Sequence, residues 1–370
     1  MKTIFAVTGT RADYGIQRPV YDAIRRSGKF RLKLVVTGMH LDVRFGSTVK
    51  EIRRDGFAIA AMVRTLPKED TKLAMAKYVG ATMMELATVF AKQKPDLVLV
   101  LGDRGEMLAA AFAAAELGIP LAHLHGGESS GTIDDLFRHA ITQLSNIHLT
   151  STDEHSERVQ AMKEDAEHIF TVGAPALDVI NTLKPVSRKN LLRRAKFDPN
   201  MPVVLFVQHP DTLSELTPAQ QIGASITALR QYKGNLLIVG SNADAGGQLF
   251  NATLKNFAQK RKNTRFVMSM PHGEFLSWLA AADLLMGNSS SGIIEAASFH
   301  LPVLNIGNRQ RSRLRSGNVL DVSQDAKAIG KSLERILTDE KLRARLKKAK
   351  NRYGDGKSSM RIVKILEKTV

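Results

Sequence analysis

The sequence VLVLGDRG at residues 98–105 places four consecutive apolar residues directly before a glycine and the charged pair Asp103 and Arg104. A short apolar run of this kind is typical of a strand buried on both faces of a parallel sheet. The segment that follows, Glu106–Leu117, has the length and spacing of a helix. Open α/β sheets bind ligands beyond the carboxyl ends of their strands. The stretch therefore predicts a strand, a polar turn and a helix, with the charged pair at the ligand-binding edge of a sheet.

Similar apolar runs alternate with amphipathic segments along the chain, which predicts an α/β fold. Strands are predicted in the first half at 3–8, 32–37, 96–101, 120–124, 147–151 and 168–172, and helices at 16–27, 77–93, 106–117, 134–144 and 153–162. The alternation restarts after the basic stretch 184–196, with strands predicted at 203–207, 236–239, 264–268, 283–286 and 303–306. The predicted fold is two doubly wound, Rossmann-like domains that face each other across a cleft.

A chain of 370 residues is too long for one ordinary core, which predicts two domains, at 1–185 and 186–370. The prediction leaves open whether the terminal helix packs back on the first domain. Hydrophobic residues make up 44% of the chain, which excludes collagenous and wholly disordered proteins. The absence of cysteine excludes disulfides, thiolate metal sites and cysteine nucleophiles. With neither a signal-peptide pattern nor an apolar run of ~18 residues, a cytoplasmic location away from membranes is expected.

The net charge of +17 indicates an anionic partner, which could be nucleic acid, an anionic surface or a phosphorylated small molecule. Much of the excess lies in residues 341–370, where 11 Lys and Arg face only two acids. A solvated helix face is the favoured explanation of such a segment. Since no sequence pattern of a nucleic-acid-binding module is present, no nucleic-acid partner is predicted.

The first predicted strand runs into TGTRADYG at residues 8–15, where glycine permits a tight turn and Arg11 offers donors to phosphate or carboxylate. The pattern matches neither a dinucleotide-binding fingerprint nor a Walker loop. A structural turn with a surface arginine is the alternative interpretation. The second strand ends near His40, a residue that on its own is more often structural than functional.

The sequence HLHGGESSGTIDD at residues 123–135 is unusually rich in titratable groups. Two residues apart on a strand, His123 and His125 are expected to share a face, and with Glu128 they offer a possible metal site. Because no further metal-binding motif accompanies these residues, the sequence favours acid–base chemistry at this site, and no metal is predicted. Asp103 is a candidate acid/base group, with helix capping or ion pairing as the alternative, and Asp134 is a second candidate, with a role as the helix N-cap as the alternative.

In the second half, polar residues again follow the predicted strands. His209 follows the strand 203–207, while Ser241 and Asn242 follow the strand 236–239. The sequence GNSSSGIIE at 287–295 places small residues between a strand and a helix, which is how backbone N–H groups and hydroxyls hold phosphates. Glu295 is suited to accept hydrogen bonds from a ribose, and an ordinary serine-rich cap is the alternative. Arg309 and Arg313 add positive charge after the next strand.

Taken in order, the motifs TGTRADYG, VTGMH, LGDR, HLHGGE with GTIDD and RHAIT, QHPDT, VGSNAD, GNSSSGIIE, NIGNRQ and NRYGDGKSS resemble the hydrolysing UDP-N-acetylglucosamine 2-epimerases. The resemblance implies a glycosyltransferase-B arrangement, a homodimer or homotetramer, and conversion of UDP-N-acetylglucosamine and water to N-acetylmannosamine and UDP for sialic acid synthesis. Two alternatives remain: the same chemistry on UDP-2,4-diacetamido-2,4,6-trideoxyglucose for legionaminic acid, or a non-hydrolysing epimerase. Non-hydrolysing epimerases carry GTRPE where this chain has GTRADYG, and this difference favours a hydrolysing enzyme.

The resemblance also implies residue roles and no cofactor. The implied catalytic residues are Asp103, Asp134, His209, His125 and Glu128. The implied UDP-sugar-binding residues are Arg11, Asp13, Tyr14, His40, Arg104, Ser241, Asn242, Ser289, Ser290, Ser291, Gly292, Glu295, Arg309 and Arg313. Many members have a catalytic Glu at the position of His125, so this chain departs from the family there, and either His125 or the nearby Glu128 is left for that role.

Overall fold

Thirteen strands alternate with fifteen helices in the structure, a computed structural model that describes residues 1–370. The strands are β1 (Lys2–Thr8), β2 (Phe30–Val36), β3 (Ile59–Met62), β4 (Leu97–Leu101), β5 (Leu121–Leu124), β6 (Ile147–Thr150), β7 (Ile169–Thr171), β8 (Val203–Val207), β9 (Asn235–Val239), β10 (Thr264–Val267), β11 (Leu284–Gly287), β12 (Val303–Ile306) and β13 (Val319–Val322). The helices are α1 (Arg11–Ser27), α2 (Val49–Arg54), α3 (Lys72–Gln93), α4 (Gly105–Glu116), α5 (Asp134–Leu144), α6 (Asp153–Met162), α7 (Ala176–Thr182), α8 (Arg188–Ala195), α9 (Pro218–Gln231), α10 (Gly247–Gln259), α11 (His272–Ala281), α12 (Ser291–Ile294), α13 (Ala326–Thr338), α14 (Glu340–Lys347) and α15 (Ser358–Thr369).

The strands form two parallel sheets, ordered β3-β2-β1-β4-β5-β6-β7 and β10-β9-β8-β11-β12-β13. Each order reverses beside its first strand, as in doubly wound α/β folds, where ligands bind at this switch point. The predicted pair of doubly wound α/β domains is confirmed. Strands β3 and β13 were not predicted. Both are short edge strands with only partly buried side chains, so neither carries a continuous apolar signal.

Strand β1 shows why the first sheet is covered on both faces. Its side chains alternate, so Ile4 belongs to a cluster with Tyr21 of α1, whereas Phe5 belongs to a second cluster with Phe90 of α3. All four side chains are fully buried. Burial of each side chain of this size contributes roughly 1.5–3 kcal/mol, so the two helical layers fix the sheet from either side.

One apolar cluster joins the second sheet to helices α9 and α10. Phe206 of β8 lies in one apolar cluster with Leu229 of α9 and Phe250 of α10, and all three are fully buried. No helix of the chain is long and apolar enough to cross a membrane.

By its contacts the chain divides into a first unit of residues 1–129, 133–182 and 353–370 and a second unit of residues 130–132 and 183–352. The boundary differs by three residues from the predicted one at 185/186, and residues 353–370 group with the first unit. Asp178 explains that grouping, since its carboxylate accepts hydrogen bonds from the backbone N–H groups of Ser358 and Ser359 at 2.9 and 2.6 Å. Helix α15 has no cap of its own at Lys357, so the carboxylate from α7 supplies it.

Candidate functional site

The carboxyl end of the first sheet carries a cluster of acid and base side chains that we call the Arg138 cluster: Asp103, His125, Glu128, Arg138 and Ser151. Arg138 lies at its centre with only 1% of its surface exposed. Its Nη2 forms an ion pair with Asp103 Oδ2, and its Nη1 donates to the backbone oxygen of His125 at 2.9 Å and lies 3.8 Å from Glu128 Oε2. One guanidinium thus joins the turn after β4 to the loop after β5.

Asp103 is the accessible member of this cluster. It lies in the turn after β4, and 20% of its side chain is exposed, against 2% for Arg138 and 1% for Glu128. The ion pair was one of the alternatives that the sequence left open, and the structure shows it. Because the Asp103 side chain is partly exposed, its carboxylate is able to contact a ligand, and the ion pair with Arg138 fixes its position.

His125 and Glu128 form a buried hydrogen-bonded pair. His125 Nδ1 lies 2.6 Å from Glu128 Oε1, and Ser151 Oγ donates to the same oxygen at 2.9 Å. The other ring nitrogen of His125, Nε2, is buried and has no hydrogen-bond partner in the protein. The pair is therefore bonded on one side of the imidazole only.

The expectation that His123 and His125 share a face is wrong. Strand β5 ends at Leu124, and His125 has a left-handed backbone with φ of 63°, which turns its side chain out of the strand's alternation. His123 instead bonds to the backbone oxygen of Gly102 at 2.8 Å and to Thr142 Oγ1 at 3.2 Å. Burial lowers the pKa of His123 to about 3, so its ring is neutral and supports the turn after β4. No group of three or more His, Cys, Asp or Glu side chains is arranged to hold a metal ion.

Asp134 is the first residue of α5, and the preceding Ile133 occupies the cap position. The alternative that Asp134 is the N-cap is therefore wrong. A carboxylate in the first helical turn is favoured by the helix dipole. Arg138 lies four residues further along α5, on the same face as Asp134.

The loop after β1 is held by Asp13. Its carboxylate accepts hydrogen bonds from the backbone N–H groups of Gly9 and Thr10 at 3.1 and 2.8 Å, and Thr10 forms a capping box with it. Burial raises the pKa of Asp13 to about 6. The buried Tyr14 donates its hydroxyl to Asp55 at 2.8 Å, and Arg11 forms an ion pair with Glu51. In this structure Asp13 and Tyr14 are engaged in holding their own loop.

His40 and Arg104 are likewise bonded to neighbouring protein groups. His40 is fully buried, with Nε2 at 3.0 Å from Thr8 Oγ1 and Nδ1 at 2.5 Å from Thr48 Oγ1. Burial lowers the pKa of His40 to about 3, so its ring is neutral. Arg104 Nε donates to Glu106 Oε1 at 2.8 Å.

In the second unit, three strand ends meet around His209. The side-chain oxygen of Asn288, which follows β11, accepts from the backbone N–H of His209 at 2.7 Å. Ser241 Oγ lies 3.1 Å from His209 Nδ1, and the backbone N–H of Asn242 points at the same nitrogen from 3.3 Å. Because that N–H donates, Nδ1 accepts, which places the proton of a neutral His209 on Nε2.

The serine-rich loop begins at Gly287, whose φ of 135° is open to glycine and strained for other residues. A Cβ at Gly287 would lie 1.9 Å from the backbone oxygen of Val207, so β8 and β11 approach too closely for any side chain. Ser289 Oγ and Ser291 Oγ lie 2.8 Å apart at the start of α12. Small side chains let this backbone fold tightly at the switch point of the second sheet.

Glu295 directly follows the four-residue helix α12 and is buried. Its Oε1 lies 2.8 Å from His272 Nε2, at the first residue of α11. Arg309 Nη1 lies 3.4 Å from the backbone oxygen of Asn288, and Arg309 Nη2 lies 3.9 Å from Asp244 Oδ2. Among the site residues predicted in this half of the chain, the structure brings His209, Ser241 and Asn242 into contact with one another.

Sequence reasoning missed several residues of these arrangements, among them Arg138 and His272. Arg138 stands within the quoted motif RHAIT, and its spacing of four from Asp134 on one helix was a signal that could have identified it. His272 is 23 positions before Glu295, and nothing in the local sequence connects them.

Comparison with known proteins gives one consistent family. The family described as UDP-N-acetylglucosamine 2-epimerase matches residues 22–367. A hydrolysing UDP-N,N'-diacetylbacillosamine 2-epimerase from Legionella pneumophila is 41% identical over 367 residues, covering 99% of this chain and 96% of that protein. The polysialic acid biosynthesis protein P7 of Escherichia coli is 33% identical over 371 residues, covering 99% and 94%.

Among solved structures, the UDP-GlcNAc 2-epimerase from Neisseria meningitidis bound to UDP-GlcNAc is similar with a TM-score of 0.83, covering 100% of both chains. At 18% identity that likeness concerns the fold alone. The match over residues 22–367 and the 41% identity show that the chain belongs to the UDP-N-acetylglucosamine 2-epimerase family.

Proposed function

We propose that this protein is a hydrolysing 2-epimerase of a UDP-linked 2-acetamido sugar. The observation that carries the proposal is the Arg138 cluster at the carboxyl edge of the first sheet, in a chain that matches a hydrolysing 2-epimerase over 99% of its length. The reaction eliminates UDP across C1 and C2 to give a 2-acetamidoglucal, and water then adds to give the C2 epimer. Substrate and water contain all the atoms and electrons of the products, so the reaction needs no redox cofactor.

Asp103 and Asp134 are the proposed acid/base groups of the first unit. Asp103 combines partial exposure with a fixed position beside Arg138. Asp134 stands at the start of α5, on the helix that carries Arg138. Positioned carboxylates of this kind contribute typically 10²–10⁴-fold to a proton transfer. Of the other residues in the first unit, Arg11 and Arg104 are proposed to contact the phosphates or the sugar. The fully buried His40, bonded through both ring nitrogens, is proposed to support the loop after β1.

The second unit is proposed to bind UDP. The hydroxyls of Ser289, Ser290 and Ser291 and the backbone at Gly292 suit the diphosphate. The buried Glu295 suits the ribose hydroxyls, with His272 holding its carboxylate in place. His209 carries its proton on Nε2 and is proposed to lie close to the leaving phosphate. Arg309, Arg313, Ser241 and Asn242 complete the proposed nucleotide end, and relatives solved with UDP and UDP-GlcNAc support this assignment.

Two sugars are the candidate substrates. UDP-N-acetylglucosamine would place the protein in sialic acid synthesis, and P7 at 33% identity supports that choice. UDP-2,4-diacetamido-2,4,6-trideoxyglucose, which is UDP-N,N'-diacetylbacillosamine, would place it in legionaminic acid synthesis. The 41% identity to an enzyme named for that sugar favours the second candidate.

The test is a side-by-side assay of UDP release from the two nucleotide sugars, with the free sugar identified by NMR. Release of UDP and of a C2-inverted sugar from either substrate is expected. A UDP-sugar that is epimerised and retained would show a non-hydrolysing enzyme, and no reaction with either substrate would overturn the proposal.

We further propose a cytoplasmic homodimer or homotetramer. Helices α3 and α4 expose apolar side chains, with Leu73 and Met84 each 66% exposed and Phe112 43% exposed. Exposed apolar residues on neighbouring helices are typical of a surface that another protein covers. Light scattering of the wild type and of Met84→Lys tests this, since a monomeric wild type would contradict it.

A further inference from the structure

A cavity of about 550 Å³ lies in the second unit at the carboxyl ends of helices α9 and α10. Most of its lining residues fall at 230–233 and 260–263, shortly before strands β9 and β10 begin, so we call it the amino-edge cavity. The residues proposed to bind UDP follow the strands, at the opposite edge of the same sheet, and none of them lines the cavity. The five residues of β9 separate the two edges by roughly 16 Å. The cavity is therefore distinct from the proposed UDP site.

The lining of the amino-edge cavity is strongly cationic. No Asp or Glu side chain lines it, whereas five cations do: Arg230, Lys233, Lys260, Arg261 and Lys262. The carboxyl ends of α9 and α10 each contribute roughly half a negative charge, so about four positive charges remain uncompensated. A concave surface with charges of one sign focuses its potential and attracts the opposite charge. The cavity thus suits an anion that carries several charges, since a single carboxylate would neutralise only a small part of the lining.

One wall of the cavity is fixed by hydrogen bonds of Arg261. Its Nη2 donates to the backbone oxygens of Tyr232 and Gly234 at 2.5 and 2.9 Å, and its Nη1 donates to Thr264 Oγ1 at 2.6 Å. The guanidinium carbon also lies 5.5 Å from the centre of the Tyr232 ring, and the Tyr232 hydroxyl donates to the backbone oxygen of Pro202 at 2.6 Å. Because these groups are already held in place, a ligand would not have to order them.

The rest of the lining combines an apolar surface with accessible charges. Ile226, Tyr232 and Phe257 supply the apolar part. The side chains of Lys233 and Lys260 are exposed, as are those of Arg230 and Lys262, so a ligand from solvent is able to reach them. Small-molecule sites have volumes of about 300–1,000 Å³, and the cavity falls within that range. Its size and its apolar wall both exceed what a single inorganic phosphate needs.

We propose that the amino-edge cavity binds a small molecule that joins a multiply charged phosphate group to a ring, as a nucleoside polyphosphate does. The phosphates contact Lys233, Lys260 and Lys262, because a lysine ammonium binds phosphate as a point charge. The ring lies against Tyr232 and Phe257. Basic residues that merely complement helix ends would account for Arg230 and Lys260, but Lys233, Arg261 and Lys262 lie beyond both helices.

The first test is calorimetric titration of the full-length protein with ATP, with UDP present at saturating concentration to fill the proposed UDP site. We expect one ATP per chain with a Kd below about 100 µM at physiological ionic strength. Absence of binding under these conditions would overturn the proposal. Inorganic tripolyphosphate is the second probe, and it should bind at least about tenfold more weakly because it has no ring to lie on the apolar wall. Equal affinities would refute the assignment of that wall to a ring.

The decisive variant is the double charge reversal Lys233→Glu/Lys260→Glu. We expect it to weaken ATP binding at least about tenfold, because each substitution removes an attraction and adds a repulsion. Lys341→Glu/Lys348→Glu is the matched control, since both lysines are exposed, lie outside the cavity and change the net charge by the same amount. Its Kd for ATP should stay within about twofold of the wild-type value. Equal weakening by the two variants would mean a general attraction of anions to a basic protein, and no site at the cavity.

This test is independent of the proposed 2-epimerase activity. The substituted lysines lie outside the proposed UDP site, so neither double variant should change the rate of UDP release measured without ATP. If the wild type releases no UDP from either sugar and ATP binding still follows the expected pattern, the proposed function fails and the cavity assignment stands. If UDP is released and ATP does not bind, only the cavity assignment fails.

Discussion

Asp103 is the residue whose substitution most directly tests the proposed chemistry. Asp103→Asn keeps the size of the side chain and removes its capacity to transfer a proton, so kcat is expected to fall by about 10²–10⁴-fold. The affinity for UDP should be largely unchanged, because the loss concerns the transition state. Steady-state kinetics and UDP calorimetry measure the two quantities. Lost UDP binding would instead assign Asp103 a structural role with Arg138.

Gly287 is a single residue on which the second sheet depends. A Cβ there would lie 1.9 Å from Val207 O, so Gly287→Ala is expected to lower the free energy of unfolding by at least about 3 kcal/mol. Urea denaturation measures the change. Gly223→Ala is the matched control in α9, where a Cβ meets nothing within 4 Å, and it should stabilise the protein by about 0.5–1 kcal/mol. Equal effects at the two glycines would refute the argument.

Helix α15 depends on a cap from another element. Asp178 bonds both backbone N–H groups at its start, and Ile362 and Leu366 pack into the core of the first unit. Asp178→Ala is expected to cost about 1–3 kcal/mol and to accelerate amide exchange in α15 more than in α9. Hydrogen exchange followed by mass spectrometry reports both helices. Uniform acceleration would mean that α15 does not open separately.

The edge strands show where local sequence carries too little information. Strand β1 is buried on both faces and is recognisable from its apolar run, whereas β3 and β13 have partly exposed side chains. An edge strand pairs on one side only, so its formation depends on the neighbouring strand more than on its own composition. Central strands are therefore predictable from the sequence, and these two edges are not.

For the whole molecule, buried histidines predict a pH dependence of stability. Burial lowers the pKa of His148 to about 4, so between pH 4 and 6.5 the unfolded chain binds more protons there than the folded chain. The contribution of His148 is present above pH 6.5 and is lost as the pH falls toward 4. At pH 5 the loss is about 2 kcal/mol relative to pH 7. The raised pKa of Asp13 acts in the opposite direction between about pH 4 and 6.

The comparison of wild type with His148→Leu isolates the histidine. Both of its ring nitrogens are buried without a partner, so leucine removes the titration and leaves no hydrogen bond unmade. Urea unfolding at pH 7 and pH 5 should show a smaller difference for the variant than for the wild type. If both proteins lose the same free energy, His148 does not contribute to the pH dependence.

The sequence alone was sufficient for the two doubly wound domains, for the order of the polar motifs and for the family. The domains and the positions of the motifs depend on local patterns: apolar runs record burial on both faces of a parallel strand, and turn residues mark where each strand ends. The family was indicated by the resemblance of the motifs taken in order. The same patterns placed Asp103, His209 and the serine-rich loop at the carboxyl ends of their strands, which is where the structure has them.

Only the tertiary structure could show which side chains meet. Arg138 meets Asp103 across 35 positions of sequence, and His272 meets Glu295 across 23. A single left-handed residue turned His125 away from His123 and toward Glu128, leaving one ring nitrogen unpaired. Contacts between distant segments, and the conformation of one residue at a strand end, arise from packing of the whole unit, and no local pattern of residues records them.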